Sequence, residues 1–510
     1  MSRHSQGTCK PTVGKELFQM LQREAAHLER KELELSAQIR SLSETLASVR
    51  SSLSIKRARA SECMKRFSPA ARLPNETLVA IFWEVVRSQD VSSQIRAESV
   101  MSCVSQRWRR IILHTPRLWT RVCVTPDMDE RDMRLHILRS AALPLDVEIC
   151  GWWDYLDSFM RPLHFDRTLA AILPSASRWR CVTISMLCDS LLTCLSFILR
   201  TIGFFDTLQR VTFEAQYAGQ MCPPTLLMGN LAPNLRSVDV ENIALTVRSH
   251  CLRRHDFGCF IGVTHLTLRL HDGESDTRAL KTTTEFQAFR ALLSHMPNLV
   301  SLSLYGEPIC FKSAASIEDE SNAAAMTLPR LRTLILHPNT VQPRYMRNLI
   351  AMIRLPDLRH LELVYPDNSI RGLDISDLLF KEGHGGESTP RFPLVEHLVI
   401  NNAAGAGAFI QAFPGIERLT ISGADVEILN QQSMETRESW RNITRLTVRL
   451  PQKDGLTLVI DWLDAMTSYG EVQAPLLRVE GPIDDCPTFL HLYEELKRRT
   501  RVELLNMDLN

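Results

Sequence analysis

The sequence predicts a mixed α/β chain: a long N-terminal helix, a small helical module, then a long array of short strands alternating with helices. Three observations carry this. A heptad of apolar residues runs from about Glu16 to Lys56, and no Gly or Pro interrupts Lys15 to Pro69. Two apolar-faced helical stretches lie between Arg72 and Trp119. From about residue 170 onward one phrase, with the core Leu-x-x-Leu-x-Leu, keeps returning. At 510 residues the chain is too long for one compact core, so several domains or a repeat array is required.

Composition narrows the classes of function. With 45% hydrophobic and 23% charged residues the chain reads as an ordinary globular protein. Lys and Arg number 59 against 58 acids, and a net charge of +1 argues against nucleic-acid or membrane-surface binding by bulk electrostatics. Residues 1–14 lack the apolar core of a signal peptide, so a cytoplasmic and/or nuclear location is expected. The longest apolar run, Leu191 to Leu199, ends at Arg200, is too short to span a bilayer and predicts a buried helix. The 13 cysteines are expected to be reduced and mostly buried. Cys181, Cys188 and Cys194, and likewise Cys251, His255 and Cys259, are spaced like half of a metal cluster but lack a second ligand pair. No metal and no cofactor is expected.

In chain order, residues 1–14 are short, polar and expected to be disordered. Residues 15–68 predict a heptad helix. Its d positions are Leu21, Leu28, Leu35, Leu42 and Val49, and its a positions are Phe18, Ala25, Glu32, Ile39, Leu46 and Leu53. The stripe is two-sevenths wide, as in a coiled coil, so self-association through residues 16–56 is expected, with Glu32 weakening the seam and setting its register. A single amphipathic helix folding back onto its own protein is the alternative. Lys56-Arg57-Ala58-Arg59 reads as a solvated helix end.

Leu73-Pro74 then opens a helix, since Pro fixes φ at a start where its missing N–H costs nothing. Leu78, Ile81, Phe82 and Val85 recur at helical spacing. A second helix, from about Arg96 to His114, gathers Val100, Cys103, Val104, Trp108, Ile111 and Ile112 on one side, and Thr115-Pro116 stops it. So much apolar surface in about fifty residues implies a partner. The residues Leu73, Pro74, Glu76, Leu78, Ile81, Phe82, Val104, Arg107, Trp108, Arg109, Leu118 and Trp119 resemble an F-box, placed at residues 70–120. The closing run Val-Ser-Gln-Arg-Trp-Arg…Thr-Pro-Arg-Leu-Trp is similar to F-box proteins of mushroom-forming fungi. The polar stretch from Arg87 to Glu98 departs from the Leu-Pro pair many F-boxes carry there.

Residues 121–169 predict a linker segment with strands at Arg121 to Val124 and Leu143 to Ile149 and a helix from Asp129 to Ala142. Then comes the repeated phrase, fullest at Met296 to Leu304. It returns at Ala232 to Val240, Leu328 to Leu336, Leu355 to Leu363, Phe392 to Ile400 and Phe413 to Ile421. Looser copies begin at Arg178, Leu208, Val263, Ile443 and Pro475. Each copy alternates with period two, as a short strand with one buried face. Helical patterns at Thr284 to His295, Arg344 to Ile353 and Val459 to Thr467 separate some of them. Residues 170–510 therefore resemble a right-handed leucine-rich-repeat solenoid. The asparagine that regular repeats carry after the core is missing from most copies, and a non-repetitive parallel α/β domain is the alternative. His271 to Thr284, Ile317 to Ala325 and Lys381 to Pro390 break the rhythm as polar, mobile loops.

No P-loop, nucleophile elbow or His-Glu-x-x-His helix occurs, and Gly405-Ala406-Gly407 lacks the third glycine of a dinucleotide site. The resemblance implies a non-catalytic subunit of an SCF-type ubiquitin ligase. It implies adaptor contacts at Leu73, Pro74, Leu78, Ile81, Phe82, Val104, Trp108, Leu118 and Trp119, made with a Skp-type adaptor and through it a cullin. A coiled-coil and repeat scaffold without ubiquitin transfer is the alternative. The polar, concave side of the strands is expected to hold a protein substrate at His265, Arg269, Tyr305, His360, His397, Arg418, Arg445 and Arg449, with the arginines gripping an acidic or phosphorylated segment.

Overall fold

A computed structural model of the chain describes residues 11–67, 69–88, 96–152, 161–185, 195, 204–214, 220–222, 232–245, 260–270, 283–311, 326–338, 343–365, 379–382, 388–401, 412–422, 426, 429, 442–449, 453–468, 474–480 and 487–505. They fall into two compact units, Met1–Glu84 and Val85–Asn510.

The first unit is dominated by α1 (Pro11–Phe67), followed by the single turn α2 (Pro69–Arg72) and the opening of α3 (Asn75–Ser88). Helix α1 reaches back to Pro11, so the stretch 11–14 is helical where disorder was expected. Proline is tolerated in a first turn, and Gly14 has open space around it. Every described side chain from residue 14 to 60 is exposed, so the heptad seam is bare.

In the second unit, 14 strands form one sheet in which each strand pairs in parallel with the one before it in sequence. They are β1 (Arg121–Val124), β2 (Leu145–Ile149), β3 (Trp179–Ser185), β4 (Arg210–Glu214), β5 (Ser237–Glu241), β6 (His265–Arg269) and β7 (Ser301–Tyr305). After them come β8 (Thr333–His337), β9 (His360–Val364), β10 (His397–Asn401), β11 (Arg418–Ser422), β12 (Arg445–Arg449), β13 (Leu476–Glu480) and β14 (Val502–Leu505). The register aligns the leucines of the phrase. Leu266, Leu302 and Leu334 face one another across β6, β7 and β8, and Leu268, Leu304 and Leu336 form the next row, all buried.

The phrase also explains its own turn. In Met296-Pro297-Asn298-Leu299 the Met296 carbonyl accepts the Leu299 N–H at 3.1 Å, and Ala232-Pro233-Asn234-Leu235 does the same at 3.2 Å. Proline supplies the fixed φ of the second turn position. The asparagine side chains donate backward, Asn298 to the Ile261 carbonyl (2.8 Å) and Asn234 to that of Asp206 (2.6 Å), which ties each turn to the preceding one. Gly262 stands at a degenerate copy of this turn, where a Cβ would come within 2.9 Å of Arg236 Nη1 and 3.1 Å of two carbonyls.

Helices α8 (Phe286–Ser294), α9 (Pro343–Met352) and α10 (Lys453–Ser468) fall on the three predicted helical patterns. Helix α10 starts earlier than its pattern because Leu456, Val459, Ile460 and Leu463 make one continuous buried stripe. A further helix, α11 (Pro487–Arg499), lies before β14.

Within the segment read as a linker, β1 and β2 join this sheet. Val122, Val124, Leu145, Val147 and Ile149 are buried in β1 and β2, and Trp152 is fully buried with its indole N–H donating to the Val124 carbonyl at 3.0 Å. Between β1 and β2 runs α6 (Glu130–Arg139), capped by the Asp129 carboxylate, and α7 (Arg161–Ile172) precedes β3.

The flanks of the expected loop Lys381 to Pro390 pair as antiparallel strands, Phe380–Glu382 with Ser388–Pro390. Thr284, at the end of another expected loop, pairs in parallel with Ile309. Ile317 to Ala325, residues 271–282, and the run Leu191 to Leu199 apart from the buried Leu195 lie outside the described residues. Of Cys63, Cys103, Cys123, Cys150, Cys181 and Cys310, only Cys150 is buried. Cys63 and Cys103 are exposed, because α1 is bare and Cys103 lies on an outward-facing side of its helix.

Candidate functional site

Between α3 and β1 the predicted second helix is two, α4 (Ala97–Val104) and α5 (Gln106–Leu113). Ser105 is extended at φ −157°, and its hydroxyl accepts the Trp108 N–H at 3.1 Å. It thus caps α5 in the middle of the predicted helix, as serine does best at a helix start. The stop at Thr115-Pro116 is where the sequence places it, with the Thr115 hydroxyl donating to the Ile111 carbonyl at 2.6 Å. A 3-10 turn, Pro116–Trp119, then carries Leu118 and Trp119 inward. The Trp119 indole N–H donates to the Ile112 carbonyl at 2.9 Å. Its ring meets His136 edge-on at 4.8 Å and lies under the Arg139 guanidinium at 4.4 Å.

The entry to α4 is held by a network that sequence reasoning missed. Arg96 donates from Nη1 to His136 Nε2 at 3.0 Å and from Nη2 toward the Cys123 carbonyl at 3.4 Å. Burial first, then the cations of Arg96 and Arg139, push His136 down to about 3, so the ring is neutral and accepts. Burial likewise raises the Glu98 carboxyl above its usual range, against its backbone hydrogen bond and the pull of Arg96 and Arg121. Arg96 and His136 are 40 residues apart, and no local spacing links them.

Residues 70–125 match the family model described as F-box-like. The chain carries an F-box-like domain. No curated protein matches the chain. An F-box typically binds a Skp-type adaptor. In the first unit Leu78 and Phe82 are each 1% exposed, and in the second unit Leu118 and Trp119 are 0% and 4% exposed. In the first unit Ile81 and Pro74 are exposed and Leu73 is half-buried. In the second unit Val85, Val100 and Val104 are exposed, Val104 by 55%, and Trp108 is half-buried. Val85 and Val100 belong to the outward set that the expected contacts omitted. Their helical spacing from Ile81 and Val104 was the available signal.

The second candidate is the polar side of the sheet. Register sets its side chains in rows, with His360 beside His397, then Arg418, then Arg445. At one end Arg269 pairs with Asp239 (3.2 Å) and Glu241 (3.5 Å) and lies 5.3 Å from the centre of the Tyr305 ring. Tyr305 meets His337 edge-on at 4.7 Å, and His337 Nε2 donates to Glu362 Oε1 at 3.1 Å. Hydrogen bonds from His337 and then His360 hold the Glu362 carboxyl down to about 2. His360 and His397 share a hydrogen bond between their Nδ1 atoms at 2.7 Å. Burial, then His360 and Arg418, push His397 down to about 4.

His265 is exposed at the edge of this cluster. Arg418 and Arg445 are exposed side by side, and among the described residues neither has an ion-pair partner. Arg449 is paired with Glu480 on β13 at 3.1 Å. Glu480 lies one position past the recognised phrase. Ser303, Val399, Thr420 and Thr447 on this side are buried, so the face is less open than simple alternation predicts.

Among the described residues no group of His, Cys, Asp and Glu is arranged to hold a metal ion. Cys188, Cys194, Cys251, His255 and Cys259 lie outside those residues. No helix among the described residues is long and apolar enough to cross a membrane.

Proposed function

We propose that this chain is the substrate-recognition subunit of an SCF-type ubiquitin ligase, acting in the cytoplasm or nucleus. The observation that carries the reading is the F-box-like match over 70–125, a region in which Val85, Val100 and Val104 stand exposed while Phe82 and Trp119 are buried. In this reading Leu73, Pro74, Ile81, Val85, Val100, Val104 and Trp108 meet a Skp-type adaptor, which brings the cullin. The sheet of residues 121–505 is a divergent leucine-rich-repeat solenoid whose polar side holds a protein substrate. Arg418 and Arg445, exposed and without an ion-pair partner among the described residues, are suited to an acidic or phosphorylated segment. The chain performs no chemistry itself. It raises the local concentration of substrate lysines near the ubiquitin-charged enzyme. Residues 16–56 join chains as a coiled coil.

The test is proximity labelling in cells with residues 70–125 present and deleted, followed by ubiquitin transfer to the labelled proteins in a reconstituted adaptor–cullin assembly. Transfer that requires 70–125 supports the reading. Adaptor capture without any transfer leaves a binding scaffold and overturns the ligase role.

A further inference from the structure

The seam of α1 is bare along its whole described length: Leu28 is 64% exposed, Ile39 66% and Leu42 68%. A stripe of about five heptads is long enough for a stable pairing, and its residue volumes discriminate between orientations. In a parallel, in-register pair each seam residue meets its own copy. Phe18 would crowd Phe18, two Ala25 would leave a gap, and two Glu32 carboxylates would be forced into one layer. Outside the seam Glu24 would face Glu29 of the second copy, since g and e positions meet in parallel coiled coils.

Reversing one helix removes each conflict. When a positions meet d positions about the centre of the stripe, Phe18 faces Val49, Ala25 faces Leu42, and Glu32 faces Leu35. Large sides then meet small ones, as close packing requires. Glu24 and Glu29 come opposite Thr45 and Ser36, and the one like-charge approach left, Lys15 to Arg50, lies at the end of the overlap, where both long side chains reach water. We propose that two copies of this chain pair through α1 in antiparallel orientation, with position 28 of one helix facing position 39 of the other. The inference rests on the coiled-coil reading of residues 16–56.

Cys63 gives a native reporter. It is exposed and continues the d series from Val49 at two heptads' distance. A parallel pair sets the two Cys63 thiols face to face, whereas the antiparallel pair holds them about 90 Å apart at 1.5 Å per residue.

The experiment uses the full chain, and its outcomes do not depend on adaptor or ligase activity. Light scattering is expected to give twice the 58.0 kDa chain mass. Under mild oxidation, the Leu28→Cys variant is expected to stay unlinked at position 28 and at Cys63. The Leu28→Cys/Ile39→Cys variant is expected to link position 28 to position 39 between copies, as read by mass spectrometry of the joined peptides. A dimer linked through Cys63, or through position 28 to itself, overturns the orientation, as does a dimer that stays unlinked in the double variant. A monomer at micromolar concentration overturns the coiled-coil reading itself.

Discussion

Trp119→Ala separates the two roles that an F-box-like aromatic residue can play. Trp119 is 4% exposed, and emptying such a site costs about 3–5 kcal/mol through lost transfer energy and the cavity left behind. The hydrogen bond to the Ile112 carbonyl adds little, because the Thr115 N–H also donates to that carbonyl at 3.3 Å; losing one of two donors is worth about 1 kcal/mol. The Arg139 and His136 contacts to the ring each contribute on the order of 1 kcal/mol and overlap with the cavity term. The expected local destabilisation is therefore about 4 kcal/mol. Hydrogen exchange on peptides from Ala97 to Val124 reads it directly, since about 1.4 kcal/mol is tenfold, and exchange there is expected to quicken by roughly a thousandfold. Val104→Ala, at a side chain 55% exposed, is expected to shift the same peptides by no more than about 0.5 kcal/mol. Unchanged protection in Trp119→Ala together with lost adaptor binding would refute the reasoning, for Trp119 would then be a contact and not a core residue.

Two further outcomes follow from the same geometry. Stability is expected to fall on acidification in stages. The folded chain holds His136 at about 3 and His397 at about 4, both below the free value of 6.5, so the unfolded chain binds protons first and stability is lost as pH drops below about 6.5. Glu362, held at about 2, adds a loss as pH falls from about 4.5 toward 2. A urea midpoint that stays constant between about pH 6.5 and 4 would contradict the neutral, buried His136. Arg418→Ala with Arg445→Ala is expected to reduce capture of the labelled substrate at physiological salt by tenfold or more. Arg449→Ala alone should cost less, because Glu480 already occupies that guanidinium. Equal losses from both changes would mean that the Arg449 pair opens to the substrate.

Much of this architecture was legible because it is periodic. The Leu-x-x-Leu-x-Leu phrase predicts a strand with one buried face, and Leu302 and Leu304 are buried where it puts them. The proline before it predicts a turn that the Met296 carbonyl closes. Local chemistry that overrides a period was harder to see. Ser105 sits inside an unbroken helical pattern, yet its hydroxyl makes a better cap than its backbone makes a helix interior. The opening strands, β1 and β2, lack the leucine phrase and read as a linker, although their Val and Ile alternation is the same signal in other residues. Burial within the F-box-like domain was not legible at all. Leu78 and Ile81 are both apolar and three apart on one helix, and only the packed structure turns one in and one out. Pairings across the sheet, such as Arg449 with Glu480 or His360 with His397, depend on register between distant segments, and no single stretch contains it.

The central claim is that the outward apolar residues of the F-box-like domain hold a Skp-type adaptor. Titrating purified adaptor against the full chain and against Val100→Asp/Val104→Asp, with hydrogen exchange confirming that Ala97 to Val124 stays protected, tests it most directly. Both side chains are more than half exposed, so the double change should leave the fold intact and weaken binding by a hundredfold or more, as the loss of about 3 kcal/mol of apolar contact requires. Adaptor binding of equal strength by the two proteins would contradict it.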